Sequence, residues 1–381
     1  MKKYTIIIFS IIFSTLILYR TSCVDKLKDE PEPNAKRTIL IYMIASNSLS
    51  SCDIDDISEI ESSIANNGMN NCRLLIYWVT YSNNPRLIEI KNKGNGTIRT
   101  EHKVYDNSIK STTKERMQAV ILDVKNIAPA DDYGLILWSH GSGWASSLTA
   151  RSFSASLTDF GDDRGSTMPI DELAQGIPND MFTFIYTDAC YMSGIEVVYE
   201  LRDKTKFFIG STTELPIDGM DYTNNIPCMF ADELDLKACC ENTFNKYDRL
   251  SGSFRSCTIS LTDCSKLNNL ATLCKEIHSN GISVTNDYNL QKYKRNEPYL
   301  FYDFVQYTKL IANEEQKEKL DSIMNEVIIY KAATPYIFNS FAIDMANYSG
   351  LSTYIVGMSL PTSVNEEYYR TLSWYKDVIT Q

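Results

Sequence analysis

Short apolar segments alternate with amphipathic ones through the first half of this chain, and this alternation limits the fold more than any other feature. The apolar segments are almost continuous runs of Ile, Leu, Val and aromatic residues, which is typical of strands buried on both faces. The segments between them carry apolar residues at helical spacing, as Met117, Ile121 and Val124 do. Strands of this kind, joined by helices, form an open and mainly parallel sheet that helices cover on both sides. The predicted strands are residues 38–45, 73–81, 133–139, 182–188 and 206–212.

The second half of the chain predicts mostly helices, added to the same domain. The 381 residues are 44% hydrophobic, enough for one large core, and they contain neither an internal repeat nor a low-complexity region. We therefore expect a single α/β domain over residues 38–381. The later helices of this domain are predicted at 231–250, 266–280, 300–313, 315–330 and 366–378. Its later strands are predicted within 253–263 and at 351–357. In the first half of the chain, a polar hairpin is predicted at 91–102.

The N-terminus has the layout of a secretory signal. Two lysines precede a mostly apolar run over residues 5–19, which is short for a helix that spans a bilayer. The small residues before Cys23 are similar to the cleavage site of a bacterial lipoprotein, although Arg20 departs from the usual aliphatic residue. We expect a signal peptide over residues 1–22, lipidation of Cys23 and a polar tether over 23–37. The protein would then lie in the bacterial cell envelope, lipid-anchored or secreted; the alternative is an uncleaved membrane anchor.

Charge and cysteine content exclude several classes of protein. The net charge is −11 and no dense cluster of Lys and Arg is present, so nucleic acid is an unsuitable partner and cationic partners are favoured. The 10 cysteines form no CxxC pair and no zinc-ligand spacing with histidine, so we expect no structural zinc. An odd number follows Cys23, and an exported protein could pair eight of them and leave one thiol.

Two reactive side chains each come directly after a predicted strand. His140 follows strand 133–139 in the segment HGSG, and Cys190 follows strand 182–188. Because ligands of open α/β sheets bind beyond the carboxyl ends of the strands, both side chains are expected to face one cleft. A histidine beside a thiol can accept its proton, which makes the sulfur nucleophilic. The N–H groups of Gly141 and Cys190 would stabilise the oxyanion of an acyl-transfer reaction.

The same segments resemble the clostripain-like cysteine peptidases, which are relatives of caspases and gingipains. The resemblance lies in YGLILWSHGSGW, DACYMSGIEVVYELRD and KFFIGSTTELPIDGMDY, and it extends over residues 38–380. It implies a caspase-like α/β/α sandwich with additional C-terminal helices and cleavage of peptide bonds after basic residues. By match to the family's blocks, His140 would be the general base and Cys190 the nucleophile.

A pocket that accepts Arg or Lys needs a carboxylate, because a buried cation must be paired. Asp188 lies two residues before the candidate nucleophile, and Asp218 lies in the loop after the next predicted strand. Both also stand where the family's pattern has acidic pocket residues. Glu214 and Asp221 are less favoured carboxylates of the same loop.

Members of this family often cut themselves between the two blocks. That interval contains only two basic residues, Arg151 and Arg164, so self-cleavage is expected after one of them. The acidic segment 159–165 suggests calcium but lacks the ligand spacing of an EF-hand, so we expect no cofactor, with calcium as the alternative.

Two other functions are compatible with the same residues. The same dyad could transfer its acyl group to an amine, as a transpeptidase does, or the fold could serve as a non-catalytic binding protein of the envelope. The remaining histidines, His102 and His278, lie in hairpin-like and helical segments and are assigned structural roles.

Overall fold

Within the residues that the structure describes, a nine-stranded sheet forms the centre of the protein. The structure is a computed structural model, and it describes residues 34–145, 160–284, 286, 289–296, 299–358 and 363–380. The strands are β1 (Ala35–Ile44), β2 (Cys72–Val79), β3 (Arg86–Asn92), β4 (Thr97–Val104), β5 (Ala130–Trp138), β6 (Phe160–Asp163), β7 (Ser166–Met168), β8 (Phe182–Asp188), β9 (Thr205–Gly210), β10 (Thr258–Asp263), β11 (Tyr302–Asp303), β12 (Ile328–Ala333), β13 (Tyr336–Ile337), β14 (Phe341–Ala342) and β15 (Ser352–Thr353).

Helices lie on both faces of this sheet. They are α1 (Cys52–Asn67), α2 (Lys114–Ile127), α3 (Ile170–Gly176), α4 (Ile195–Glu200), α5 (Tyr222–Phe230), α6 (Leu236–Asp248), α7 (Leu267–His278), α8 (Phe304–Ile311), α9 (Glu314–Val327) and α10 (Ser363–Tyr369), followed by a π-helical turn at Tyr375–Ile379. Among the described residues, no helix combines the length and the apolarity needed to cross a bilayer.

The strand order of the sheet is β12-β10-β9-β8-β5-β1-β2-β3-β4. The five central strands, from β9 to β2, run parallel, while β10 and β12 on one side and β3 and β4 on the other are antiparallel. The order reverses between β1 and β5, and at such a switch point the loops beyond the carboxyl ends diverge and leave a crevice. The expected α/β architecture, with a mainly parallel central sheet and additional C-terminal helices, is confirmed.

The apolar character of the central strands follows from two cores, one on each face. In β1, Ile39 and Ile41 contact the core that contains α1 and α5, whereas Leu40 and Tyr42 contact the core that contains α2 and α3. Successive side chains of a strand point to opposite faces, so a strand between two cores must be apolar at every position. This is why the sequence shows continuous runs and not alternation.

Three details of the second half of the chain differ from the predictions. The strand predicted at 351–357 is reduced to β15, which pairs with β11 in a separate two-stranded sheet. The helix predicted to end at residue 330 ends at Val327, and the chain continues as β12 at the edge of the main sheet. Helix α5 was not predicted and lies before the helical region predicted at 231–250, whereas α6 lies within that region. The hairpin at 91–102 is confirmed as the turn between β3 and β4.

Candidate active site

The register between β5 and β8 brings the two reactive residues to the same edge of the sheet. Trp138 pairs with Asp188, the last residues of the two strands. His140 and Cys190 each follow two residues later, on neighbouring parallel strands that are about 4.8 Å apart. Both side chains line one cavity of about 260 Å³. The structure therefore brings together the two residues that the sequence selected.

A glycine on β5 permits a close approach to β8. Gly134 pairs with Phe184 of β8, and a Cβ atom on Gly134 would lie 2.3 Å from the Phe184 ring. The ring therefore fills the space that any other residue at position 134 would need. Beyond the strand ends, the loops are equally close, because a Cβ on Gly141 would lie 2.7 Å from the carbonyl oxygen of Cys190.

Cys190 is half-buried and its thiol is held by the loop after β9. The backbone N–H of Leu215 donates a hydrogen bond to its Sγ at 3.3 Å. Burial raises the pKa of the Cys190 thiol to about 11, and the Leu215 N–H opposes this effect. The next residue, Tyr191, has a φ of 61°, which is unusual for a bulky side chain. Its ring stacks on Phe301 at 5.1 Å, so packing maintains the strained turn that presents the thiol.

His140 makes a hydrogen bond that the sequence does not predict. Its Nε2 lies 2.8 Å from the Oγ of Ser48, in the loop after β1. Burial lowers the pKa of the His140 imidazole, and the charge of Asp162 opposes this shift. Within this loop, the side chain of Asn47 donates to the carbonyl oxygen of Ile44 at 2.9 Å and to that of Asp162 at 2.8 Å. These bonds fix the loop that carries Ser48.

Asp188 lines the same cavity and is buried. Its Oδ2 accepts hydrogen bonds from the Met220 N–H and from the Tyr222 hydroxyl, both at 3.1 Å. Burial raises the pKa of this carboxyl. Asp56 of α1 is close enough to interact electrostatically with Asp188, and its pKa is raised chiefly by burial and then by that charge. A second carboxyl group therefore lies near Asp188, although Asp56 is not among the described residues that line the cavity and the sequence did not single it out.

Asp56 is held by the strand that leads to His140. The indole Nε1 of Trp138 donates a hydrogen bond to its Oδ2 at 2.7 Å. The run CDIDDISE has the composition of a solvated helix start, so nothing in it distinguished a buried aspartate from an exposed one. The burial of Asp56 could be predicted only together with Trp138, because a buried indole N–H needs a hydrogen-bond acceptor.

Asp218 is exposed, and it is not among the described residues that line the cavity. Its backbone carbonyl accepts a hydrogen bond from the ammonium group of Lys246 at 2.7 Å. Its assignment to the pocket stays a prediction. Glu214 lines the cavity but forms a bidentate ion pair with Arg295, while Asp221 caps α5 by accepting from the N–H of Asn224 at 3.1 Å.

The two candidate oxyanion donors lie next to each other. A Cβ on Gly141 would be 3.3 Å from the nitrogen of Cys190, so the two peptide units are in contact. Among the residues that the structure describes, none accepts a hydrogen bond from either N–H group. Donors in this condition are able to bind a substrate oxygen.

The two candidate cleavage sites differ in what the structure describes. Arg151 lies outside the described residues, as does the candidate lipidation site, Cys23. Arg164 lies in the turn between β6 and β7 with a φ of 53°. Its guanidinium donates to the side chain of Asn107 at 3.0 Å and to the carbonyl oxygen of Thr80 at 2.9 Å.

The acidic segment considered for calcium begins at residue 159, which is not described. Within it, both carboxylate oxygens of Asp163 accept hydrogen bonds, from the Ser46 hydroxyl at 2.8 Å and from the Ser111 N–H at 2.9 Å. Over the described ranges, no group of three or more His, Cys, Asp or Glu side chains is arranged to hold a metal ion.

The other histidines take part in the packing of the fold. His102 Nε2 lies 2.7 Å from a carboxylate oxygen of Glu89, and His278 is half-buried at the end of α7 beside the ring of Tyr307. Burial lowers the pKa of His278 to about 4. Neither residue lines the cavity at Cys190.

The fold and this site together define a cysteine peptidase with a caspase-like sheet. A model of the clostripain family, peptidase family C11, matches residues 41–378, and the chain belongs to this family. No curated protein matches the chain.

Solved structures of C11 proteases have the same fold. An inactive zymogen C11 protease from Parabacteroides distasonis is 31% identical, with a TM-score of 0.79 over 91% of this chain and 99% of that one. A secreted C11 cysteine protease from Bacteroides thetaiotaomicron, in complex with an irreversible peptide inhibitor, is 26% identical, with a TM-score of 0.78 over the same shares of the two chains.

Proposed function

We propose that this peptidase is an exported endopeptidase that cleaves after Arg or Lys, with Cys190 as the nucleophile and His140 as the general base. The observation that carries the proposal is the presence of His140, Cys190 and the buried Asp188 in the lining of one cavity. The thiol and imidazole supply the nucleophile and the base, so this reaction needs no cofactor.

In the proposed mechanism the resting dyad is uncharged. The pKa of the Cys190 thiol is about 11 and that of His140 is lowered, so near pH 7 the thiol keeps its proton and the imidazole is neutral. The proton moves to His140 as the sulfur attacks the carbonyl carbon of the substrate. His140 then gives this proton to the leaving amine, and water hydrolyses the thioester. The N–H groups of Gly141 and Cys190 donate to the oxyanion.

Ser48 is proposed as the residue that orients His140. When its hydroxyl accepts from Nε2–H, the imidazole is held in the tautomer whose Nδ1 is unprotonated and able to take a proton. The 2.8 Å contact and the fixed loop around Asn47 support this role.

Asp188 is proposed to bind the basic side chain that precedes the scissile bond. A buried carboxyl with a raised pKa gains from a cation more than an exposed one does, because the cation both neutralises the charge and replaces missing solvent. Asp56 adds a second carboxyl behind it. Asp218 is the other candidate, and it reaches the substrate only if its loop moves.

We also propose that the protein is exported and lipid-anchored through Cys23. The lysines and apolar run of residues 1–22 support export, and the relative from Bacteroides thetaiotaomicron is described as secreted. The small residues before Cys23 support the lipid anchor.

Activation by self-cleavage is proposed for the interval between His140 and Cys190. A similar chain from Parabacteroides distasonis is described as an inactive zymogen. A scissile arginine must place its side chain in the pocket, and the guanidinium of Arg164 already has acceptors in Asn107 and Thr80. This favours Arg151 as the site of the cut.

Turnover of fluorogenic peptides tests the proposed function. Peptides that carry Arg, Lys, Asp or Leu before the reporter group are compared on the wild type, His140→Ala and Cys190→Ala. We expect turnover of the Arg and Lys peptides by the wild type alone. Equal turnover of the Leu peptide would contradict the pocket, and turnover by Cys190→Ala would contradict the nucleophile. Addition of a small amine nucleophile distinguishes hydrolysis from acyl transfer.

A further inference from the structure

Two cysteines outside the active site lie against each other where helices α5 and α6 pack. Cys228 is on α5 and Cys239 is on α6. The Cys228 thiol donates to the carbonyl oxygen of Asn224 at 3.4 Å, and the Cys239 thiol donates to that of Asn225 at 3.8 Å. Because Asn224 and Asn225 are consecutive residues, the two thiols contact neighbouring carbonyl groups of α5. The Cys239 thiol is also a hydrogen-bonding neighbour of the Cys228 sulfur.

The two thiols differ in exposure and in chemistry. Cys228 is half-buried, while Cys239 is fully buried. The side-chain amide of Asn242 donates to the Cys228 sulfur at 3.7 Å. The pKa of Cys228 is about 7, below its usual range, chiefly because of the hydrogen bond from Cys239. An accessible thiolate beside a buried thiol is the arrangement of an attacking cysteine with its resolving partner.

We propose that Cys228 and Cys239 form a disulfide bond when the protein meets a disulfide oxidant. With oxidised glutathione, the Cys228 thiolate attacks one sulfur of the reagent, forms a mixed disulfide and releases one glutathione thiolate. The Cys239 thiol then loses its proton to solvent, attacks the Cys228 sulfur and releases the second glutathione. The two protein thiols are oxidised, the reagent is reduced to two thiols, and the protein loses two hydrogen atoms.

The other described cysteines are poorly placed for this reaction. Cys240 follows Cys239 directly, but it lies on a different side of α6 and is fully buried beside Cys257. Cys52 is half-buried, and nearby carboxylates add to the effect of burial in raising the pKa of its thiol. Cys52 therefore serves as a control for non-specific oxidation.

The bond would join the two helices that support the loop beside Asp188. Tyr222, the first residue of α5, donates to Asp188, and Lys246 of α6 donates to the carbonyl oxygens of Asp218 and Met220 at 2.7 and 3.2 Å. A cross-link between α5 and α6 would restrict the movement of this loop. This consequence rests on the proposed function, whereas formation of the bond does not.

Oxidation of the full-length Cys190→Ala chain tests the bond itself. After treatment with oxidised glutathione at pH 8, we expect a loss of two mass units and a peptide that contains Cys228 joined to Cys239. Cys52→Ser should behave in the same way, whereas Cys228→Ser should form no bond. A stable glutathione adduct at Cys228, or two unmodified thiols, would overturn the proposal. If Cys239→Ser folds, it should stop at the mixed disulfide; if it does not fold, the Cys228→Ser result decides.

Kinetics of the active enzyme test the consequence for the pocket. The KM for an Arg peptide does not depend on the fraction of enzyme that stays active, so partial oxidation of Cys190 leaves this measurement valid. We expect oxidation to lower the KM about twofold in wild type and to leave Cys228→Ser unchanged, because a preorganised site loses less entropy on binding. An unchanged KM in the cross-linked wild type would overturn the link to the pocket. Absence of Arg-peptide turnover altogether would instead count against the proposed function.

Discussion

The individual residues of the active site owe their chemistry to burial more than to neighbouring charges. Burial is the largest cause of the raised pKa values of Cys190 and Asp188 and of the lowered pKa of His140. In each case burial favours the neutral form of the group. In the proposed function, a bound substrate would bring a cation to Asp188 and an electrophile to Cys190.

The pH dependence of kcat/KM follows from the pKa of His140. General base catalysis needs the neutral imidazole, which is lost as pH falls through its pKa. Because burial lowers this pKa, we expect the acid limb of the profile to lie below pH 6.5. A pH profile with an Arg peptide measures it. An acid limb above pH 7 would contradict a neutral resting dyad.

Removal of the Ser48 hydroxyl should slow catalysis without abolishing it. We expect Ser48→Ala to lower kcat about tenfold with little change in KM. This loss is a part of the rate acceleration of about 10²–10⁴-fold that general base catalysis contributes. Ser48→Thr should recover most of the rate because it keeps the hydroxyl group. Ser50→Ala is the matched control, since Ser50 is an exposed residue of the same loop. Equal kcat values for Ser48→Ala and Ser50→Ala would show that the hydrogen bond to His140 is not used.

Replacement of Asp188 by asparagine should change substrate choice while the fold is retained. Loss of the carboxylate removes the partner of the bound cation, and we expect kcat/KM for an Arg peptide to fall about 100-fold. Any slow turnover of a neutral peptide by the wild type should be unchanged in the variant. Because the pKa of Asp188 is raised on folding, ionisation of this group opposes folding above its usual pKa, so the variant should unfold at the same or a higher temperature at pH 7.

Asp218→Asn is the control for this experiment, because Asp218 is exposed in the loop after β9, whose Met220 N–H contacts Asp188. A loss of Arg turnover in Asp218→Asn but not in Asp188→Asn would reverse the assignment of the pocket.

At the scale of elements, the sequence predicted the strands that lie between two cores and missed those at the margins. The central strands contain continuous apolar runs, such as residues 39–44 of β1, which gives a clear signal. Strand β12 lies at the edge of the sheet and is mostly half-exposed. Because it follows α9 without a turn residue, its sequence resembles a continuation of that helix. Strands β11 and β15 have two residues each, too few to show a period.

The residues of the candidate site also differ in whether the sequence reveals them. His140, Cys190 and Asp188 could be found because each stands at the end of a strand that is itself easy to recognise. Ser48 could not be found, because SNSLSS is polar in the way that most loops are and only the fold brings it to His140. Asp56 lies near the start of an acidic helix, and the sequence does not show which aspartates of this segment are buried. Asp56 is buried because it accepts a hydrogen bond from the indole of Trp138, which lies on another element.

The contact between β5 and β8 can be tested with one methyl group. Because a Cβ on Gly134 would overlap the ring of Phe184, Gly134→Ala must separate the two strands or move the ring. We expect a loss of about 1–3 kcal/mol in the free energy of unfolding, the usual cost of overpacking, measured by urea denaturation. The spacing between His140 and Cys190 depends on the same contact, so activity should fall as well.

Gly96→Ala is a suitable comparison, because nothing lies within 4 Å of a Cβ at that position. The double variant Gly134→Ala/Phe184→Leu should recover part of the lost stability. Equal stability of Gly134→Ala and the wild type would mean that the register of β5 and β8 does not depend on this glycine.

At the scale of the whole molecule, the proposed self-cleavage would divide the chain into two pieces that remain in contact within the fold. The residues just after His140 and those at the start of β6 are joined by a bridge between Gly141 and Phe160 and by a hydrogen bond from the Gly161 N–H to the His140 carbonyl oxygen at 2.9 Å. A cut after Arg151 lies between these two sides. The piece before the cut contributes β1 to β5 to the sheet, and the piece after it contributes β8 to β10 and β12. Pairing between β5 and β8 would therefore keep the two pieces together.

We accordingly expect cleaved wild-type protein to give two chains by mass spectrometry under denaturing conditions and one particle of unchanged size by gel filtration. Cys190→Ala should stay a single chain, because the cut needs the nucleophile. Arg151→Gln should also stay intact, whereas Arg164→Gln should be cut as the wild type is, because the guanidinium of Arg164 is occupied by Asn107 and Thr80. Cleavage that persists in Arg151→Gln and disappears in Arg164→Gln would move the site to the turn between β6 and β7, and an intact wild-type chain with full activity would exclude self-cleavage as a step in activation.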